Sequence, residues 1–157
     1  MMKQFFALLI TFLCSLTAFA QNEQDFASRY MTLYGKGTSM ECTTVSPLML
    51  EKMMQLPDVE GNNQTRAILS QLKSIRMAHN TDSRETNLLY SKALKLAQRN
   101  SARYKVYAQR ASKRLYVRRR GRYIVEMVLF MKYDHHFQLI NLTGNMTEDF
   151  LNQLLKA

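Results

Sequence analysis

The sequence is poor in the residues and motifs that define several large classes of protein. It has only five glycines and two prolines, and 46% of its residues are hydrophobic, which excludes collagen-like, linker-like and disordered chains. Its two cysteines exclude a disulfide-dense scaffold and a cysteine-rich zinc module. No P-loop, dinucleotide-binding glycine fingerprint, HExxH or GxSxG string occurs. We therefore expect neither a common motif-bearing enzyme nor a bound cofactor or metal.

The first 20 residues have the pattern of a secretory signal peptide. Lys3 precedes an apolar run over 5–18, and Ala18-Phe19-Ala20 supplies the small-x-small pattern that a signal peptidase reads. The run is shorter than the roughly 20 apolar residues that a membrane-spanning helix needs. The pattern predicts cleavage after Ala20. It leaves 21–157 as one domain, exported to the periplasm or cell envelope of a bacterium, without a membrane span.

The hydrophobic periods of the remaining chain predict an α+β domain. Apolar residues spaced three and four apart indicate helices, and Ser46-Pro47 and Asp82 are typical of helix starts. After the longest helix the period changes to two, which indicates four consecutive strands joined by short turns. The predicted helices cover 23–34, 47–56, 83–98 and a segment after Thr147, and the predicted strands cover 38–45, 74–79, 103–110, 113–119, 122–133 and 136–143. This order predicts an antiparallel sheet with a C-terminal four-strand meander and helices packed on one face.

Cys42 is the only cysteine that remains after the predicted cleavage, so no intramolecular disulfide can form. It alternates with other residues on one side of a predicted strand, between Met40 and Thr44. We expect this side to face the core and the thiol to be buried.

Three segments give the sequence a resemblance to a known family. They are the helix start Ser46-Pro47-Leu48-Met49, the run Ile124-Val125-Glu126-Met127-Val128, and the stretch Leu139-Ile140-Asn141-Leu142-Thr143-Gly144-Asn145-Met146 before a short acidic-led helix. Together with the signal pattern, they resemble an exported bacterial family that is defined only as a domain of unknown function, DUF4252. The resemblance covers nearly all of the chain after residue 20. It implies a single α+β domain in the bacterial envelope, and it supplies no assigned activity and no functional residues.

Positive charge is concentrated in one block of the sequence. Residues 86–125 contain twelve of the 22 lysines and arginines and no acidic residue. If Leu115 and Val117 face inward, the alternate residues of their strand face outward. The predicted binding surface consists of Arg114, Tyr116, Arg118, Arg120 and Arg122. Guanidinium groups beside tyrosine rings suit planar anions such as phosphate or carboxylate. The alternative is a solvated basic face that protects an edge strand.

The charge excess, +10 over the whole sequence, predicts an anionic partner. Nucleic acid is the usual partner of a basic surface. The export signal argues against it, because an exported bacterial protein meets little nucleic acid. We therefore expect an anionic component of the envelope, which is a lipid head group, a polysaccharide or the acidic face of a protein.

Two other functions stay open at this point. A small hydrolase or metal-dependent enzyme could use Glu126, an acid in a mostly apolar strand, with the histidine pair His135 and His136. A simpler interpretation pairs Glu126 with an arginine of a neighbouring strand, such as Arg114 or Arg118, and treats the histidines as turn residues. The third function is a structural or signalling module with a protein partner, which an exposed apolar patch would favour.

Overall fold

The computed structural model describes residues 24–156, and the predicted signal peptide 1–20 with its cleavage site lies outside these residues. The strands are β1 (Met40–Val45), β2 (Leu72–Asn80), β3 (Lys105–Arg110), β4 (Lys113–Arg120), β5 (Tyr123–Tyr133) and β6 (His136–Met146). The helices are α1 (Phe26–Tyr34), α2 (Pro47–Met54), α3 (Pro57–Glu60), α4 (Asn63–Leu69), α5 (Thr86–Arg99) and α6 (Glu148–Lys156), with a 3-10 turn at Ser83–Glu85.

The strands form one antiparallel sheet in the order β1-β2-β6-β5-β4-β3. This confirms the predicted α+β class and the C-terminal meander, because β3 to β6 follow one another in space as in sequence. The early strands β1 and β2 extend the meander beyond β6. In the described part of the chain the sheet therefore has six strands, with β1 and β3 at its two edges.

Side-chain caps start the helices near the predicted positions. The Asp25 carboxylate accepts a hydrogen bond from the Ser28 N–H at 2.8 Å, and the Ser46 hydroxyl accepts one from the Met49 N–H at 3.3 Å. Pro47 occupies the first position of α2, where its missing N–H costs nothing. The predicted helix over 47–56 ends before Pro57, and the structure adds the short helix α3 directly after it.

The helices pack on both faces of the sheet, which corrects the prediction of one face. Helices α1 and α5 cover the first face, where the core includes Tyr116, Val128 and Phe130. On the second face, Phe150 and Leu151 of α6 pack against a second core that includes Leu115, Val117, Met127 and Leu142. Neighbouring residues of β4 and β5 thus belong to different cores, as the alternation of a strand requires.

The prediction that Cys42 is buried is wrong, because its side chain is exposed. Met40, two residues earlier on the same strand, is 6% exposed, so Met40 does face the core as predicted. Cys42 lies on the edge strand β1 and pairs with Ala78 of β2. Within residues 24–156, β2 is the one strand that neighbours β1, and the helices of the first face pack closer to the middle of the sheet.

Candidate functional site

A basic cleft lies at the end of the sheet where α1 begins. It has a volume of about 580 Å³ and is bounded by β2, β6, β5 and β4 and by the connection between β1 and β2. Its lining includes four cationic side chains and one carboxylate, which are Lys73, Arg76, Arg118, Arg120 and Asp25. The hydroxyl groups of Ser70, Ser74 and Thr143 and the amide groups of Gln71 and Asn145 also line it. The cleft is therefore a concave surface with an excess of positive charge and many hydrogen-bonding groups.

A row of polar residues crosses the sheet beside the cleft. In the strand register, Ser74 of β2 pairs with Thr143 of β6, which pairs with Glu126 of β5, which pairs with Arg118 of β4. The Ser74 and Thr143 hydroxyl oxygens are 2.6 Å apart and share a hydrogen bond. Directly paired residues lie on the same face of a sheet, so the whole row lies on the first face, below the start of α1.

Glu126 is fully buried at the centre of this row. One carboxylate oxygen accepts from the Phe26 N–H at 2.6 Å and from the Asn141 side-chain amide at 3.1 Å. The other accepts from Arg118 Nε at 2.8 Å and from the Tyr104 hydroxyl at 3.1 Å. The ion pair with Arg118 confirms the interpretation that Glu126 pairs with an arginine of a neighbouring strand. Each oxygen thus has two donors, which compensates for the burial of the charge.

The same network holds the N-terminus of α1 on the sheet. The first three N–H groups of the helix donate to the side chains of Glu126, Asn141 and Asp25, at 2.6, 2.8 and 2.8 Å. A negative charge at this position is favourable because it faces the positive end of the helix dipole. Asp25 also accepts from Arg76 Nε at 2.8 Å. The start of α1 therefore forms one wall of the cleft, and side chains of the sheet accept hydrogen bonds from two of its first three N–H groups, while Asp25 accepts the third.

Tyr104 shows the electrostatic effect of this buried network. Burial and the neighbouring Glu126 carboxylate raise the pKa of the Tyr104 hydroxyl well above its ordinary value. The hydroxyl stays protonated and donates to Glu126, so the two groups form a hydrogen bond instead of opposing charges of the same sign.

The four cations of the cleft differ in how much of their charge the protein already uses. Arg76 and Arg118 each form an ion pair through Nε, with Asp25 and Glu126. An arginine has five N–H donors, so part of each guanidinium group can still bind a ligand. Lys73 and Arg120 are exposed and form no ion pair within residues 24–156. These two side chains are the cations most available to an incoming anion.

The structure separates the five residues of the predicted binding surface. Arg118 and Arg120 line the cleft, and Arg122 lies in the β4–β5 turn at the same end of the sheet. Arg114 lies towards the other end of β4, opposite Phe130 of β5. Tyr116 is only 5% exposed and belongs to the core of the first face, so its expected outward position is wrong. The reason is that helices cover the middle of β4 on the side that was predicted to face solvent.

The histidine pair lies far from Glu126. Tyr133 and His136 pair at the β5–β6 turn, seven positions along the strand from Glu126, or roughly 23 Å at about 3.3 Å per residue. The structure therefore does not bring Glu126 together with His135 and His136. Among residues 24–156, no three histidine, cysteine or acidic side chains are close enough together to hold a metal ion.

Sequence reasoning missed two of the four cations, Lys73 and Arg76. Both lie on β2, outside the basic block at 86–125 that attracted attention. The available signal was Arg76, a charged residue between the apolar residues Ile75 and Met77 of an alternating strand. Only the register between β2 and β6 places this strand near the β4–β5 turn.

The fold and the cleft define an α+β protein with an open antiparallel sheet and a basic surface at one end. The family model for a domain of unknown function (DUF4252) matches residues 34–154, so the chain belongs to this family. No curated protein matches the chain.

None of the helices in the described part of the chain combines the length and apolar character that crossing a membrane requires.

Proposed function

We propose that the protein is an exported, non-enzymatic binding module of the bacterial cell envelope that holds an anionic partner in the basic cleft. The observation that supports this proposal is the cleft lining, in which four cations face a single carboxylate that is already paired. The predicted export signal also supports the proposal, because an exported bacterial protein would meet anionic lipids, polysaccharides and proteins.

The geometry of the cleft suits an anion with several oxygen atoms. Arginine offers paired N–H donors that match phosphate and carboxylate, whereas lysine acts as a point charge. Arg76 and Arg118 are fixed by their ion pairs, with side chains 29% and 20% exposed. A ligand that meets donors already held in place loses less conformational entropy on binding.

Retention on a polyanion column tests the proposal. The chain from residue 21 should bind immobilised dextran sulfate at low salt and elute as salt rises, because the screening length falls to about 8 Å near physiological ionic strength. The double variant Lys73→Gln with Arg120→Gln should elute earlier. In direct titration it should bind about tenfold more weakly, the equivalent of about 1.4 kcal/mol.

A matched variant separates the cleft from net charge. Arg110 and Lys113 are exposed and flank the β3–β4 turn, at the opposite end of β4 from Arg120. Replacing both by Gln removes the same charge without touching the cleft, and this control should elute close to the unmodified protein. Equal effects of the two double variants would contradict a site in the cleft, because net charge alone would then explain retention.

A further inference from the structure

Four exposed apolar side chains lie in the connection beside the cleft, and we call them the apolar rim. They are Leu48, Met49, Met53 and Leu56, which are 59%, 49%, 37% and 52% exposed. Met49 and Met53 are four residues apart on α2 and project from one side of it, and Leu56 follows the end of α2 directly before α3 begins. Leu50, about 100° around the helix from Met49, is 2% exposed. Because α2 buries one apolar side and exposes a second, the rim needs an explanation other than the folding of this domain.

The rim and the cleft occupy the same end of the molecule. Helices α2 to α4 join the end of β1 to the start of β2, and Pro47, the first residue of α2, lines the cleft. The β4–β5 turn reaches this end as well, with Arg122 beside Tyr123, whose ring is 39% exposed. The Arg122 guanidinium group lies 5.1 Å from the centre of that ring. Cations, an aromatic ring and unpartnered apolar side chains therefore share one end.

We propose that this end docks on the surface of an anionic phospholipid bilayer, with lipid phosphate groups in the cleft and the apolar rim in the interfacial region. The inference rests on the proposed function, since it identifies the anion held by the cleft as a lipid head group. Basic side chains are attracted to an anionic leaflet, and apolar side chains add binding when they enter the boundary with the acyl chains. Tyrosine also favours this boundary, because its ring is apolar and its hydroxyl polar.

The charges of the connection explain why both features are needed. Glu51 on α2 and Asp58 and Glu60 on α3 oppose an anionic surface. Lys52 on α2 and Arg66 on α4 offset two of these three charges. The cations of the cleft must offset this repulsion, and the rim supplies attraction that does not depend on charge. A polysaccharide would use the cations but would gain little from the rim, whereas the surface of an anionic bilayer uses both. A protein partner, which an exposed apolar patch also favours, is distinguished from a bilayer by binding to protein-free vesicles.

Vesicle flotation with rim variants tests the inference. The chain from residue 21 should bind vesicles of phosphatidylglycerol mixed with phosphatidylethanolamine, and should not bind vesicles of phosphatidylcholine alone. The double variant Met49→Ser with Leu56→Ser should bind the anionic vesicles about tenfold more weakly. It should still elute from dextran sulfate at the salt concentration of the unmodified protein, because its charges are intact.

Leu33 and Leu88 provide the matched control, since they are 53% and 54% exposed and lie on α1 and α5, away from the rim. Replacing both by Ser should leave vesicle binding unchanged, and circular dichroism should show all variants folded. Retention on dextran sulfate without binding to anionic vesicles would overturn the bilayer and would indicate a polysaccharide or protein partner. Rim variants that bind vesicles as the unmodified protein does would also overturn it. If the unmodified protein bound neither dextran sulfate nor anionic vesicles, the proposed function itself would be overturned.

Discussion

Glu126 shows how one buried charge organises the site. Its side chain has no exposure, and its two oxygens accept four hydrogen bonds from three strands or loops and from the start of α1. The carboxylate therefore links α1 to the sheet and to Tyr104, and it holds Arg118 in the wall of the cleft. Removing one partner of a buried ion pair leaves an uncompensated charge, which costs far more than losing an exposed pair.

Arg118 is therefore expected to contribute strongly to stability, whereas the other arginines of β4 are not. Arg118→Gln should lower the free energy of unfolding by about 3 kcal/mol, because Glu126 would stay buried without its cation. Arg114→Gln, at the far end of the same strand, should lower it by less than about 1 kcal/mol. Urea denaturation measures both values. Adding Glu126→Gln to the Arg118→Gln variant should recover part of the loss, and equal effects of the two single variants would contradict this account.

Gly144 permits close contact between β6 and the start of β2, which both line the cleft. It lies in β6 opposite Leu72, where β2 begins, and a Cβ at this position would overlap the backbone carbonyl of Gln71. That carbonyl accepts a hydrogen bond from the Asn145 N–H at 2.9 Å, and the Gln71 side chain accepts one from the Thr147 N–H at 3.0 Å. The close approach of the two backbones therefore joins β2, β6 and the start of α6.

Gly144→Ala should destabilise the protein by about 3 kcal/mol, because the obstacle is a backbone carbonyl that cannot rotate away as a side chain could. Gly37→Ala is the control, since Gly37 has a φ of 77° but, among residues 24–156 and apart from its two chain neighbours, no atom lies within 4 Å of its Cβ position. That change should cost about 1 kcal/mol, which is the strain of a left-handed alanine alone. Thermal unfolding compares the two variants. A larger shift for Gly37→Ala would show that the contact with Gln71 is unimportant.

The elements differ in how far the sequence predicts them. Local signals were sufficient for the helix starts at Ser46 and Asp82 and for the four strands of the meander, because capping and periodicity depend on neighbours in the chain. The last strand was predicted to end before Gly144, but it continues to Met146. Glycine was interpreted as a strand end, whereas here it permits the contact with Gln71, which is distant in sequence.

Errors in side-chain direction have a common cause, since they depend on what covers the sheet. Cys42 is exposed because it lies on an edge strand, and Tyr116 is buried because β4 is covered on both faces in its middle. A register shift between Ile124 and Glu126 moves Ile124 to the second face, where simple alternation would place it with Glu126. Alternation predicts which residues share a face, but the docking of helices decides which face is buried.

Across the whole molecule, the basic block of the sequence is distributed over the fold. Some of its residues lie along α5, and others lie at the β3–β4 turn and at the β4–β5 turn. These two turns are at opposite ends of the sheet. Only Arg118 and Arg120 of the block line the cleft, where β2 supplies the other two cations. The block therefore raises the net charge of the whole molecule, and the fold selects which charges meet.

The core of the first face, which holds α1 and α5 on the sheet, should make the whole fold sensitive to alkali. Burial raises the pKa of Tyr30 and Tyr104 well above 10, so at high pH the folded protein keeps protons that the unfolded chain releases. The contribution of these two tyrosines to the free energy of unfolding should therefore be fully present below about pH 10 and should fall as the pH rises above it.

Urea denaturation across this range, with phenolate absorbance, should show both tyrosines ionising only as the protein unfolds. Tyr30→Phe with Tyr104→Phe should flatten the alkaline loss. Near neutral pH the change should cost about 1 kcal/mol for Tyr30, which donates to a carbonyl, and about 2 kcal/mol for Tyr104, which donates to the buried Glu126 carboxylate. Tyr133→Phe, at a position 50% exposed, should not flatten it. An alkaline loss of the same slope in the double variant would mean that other groups drive the transition.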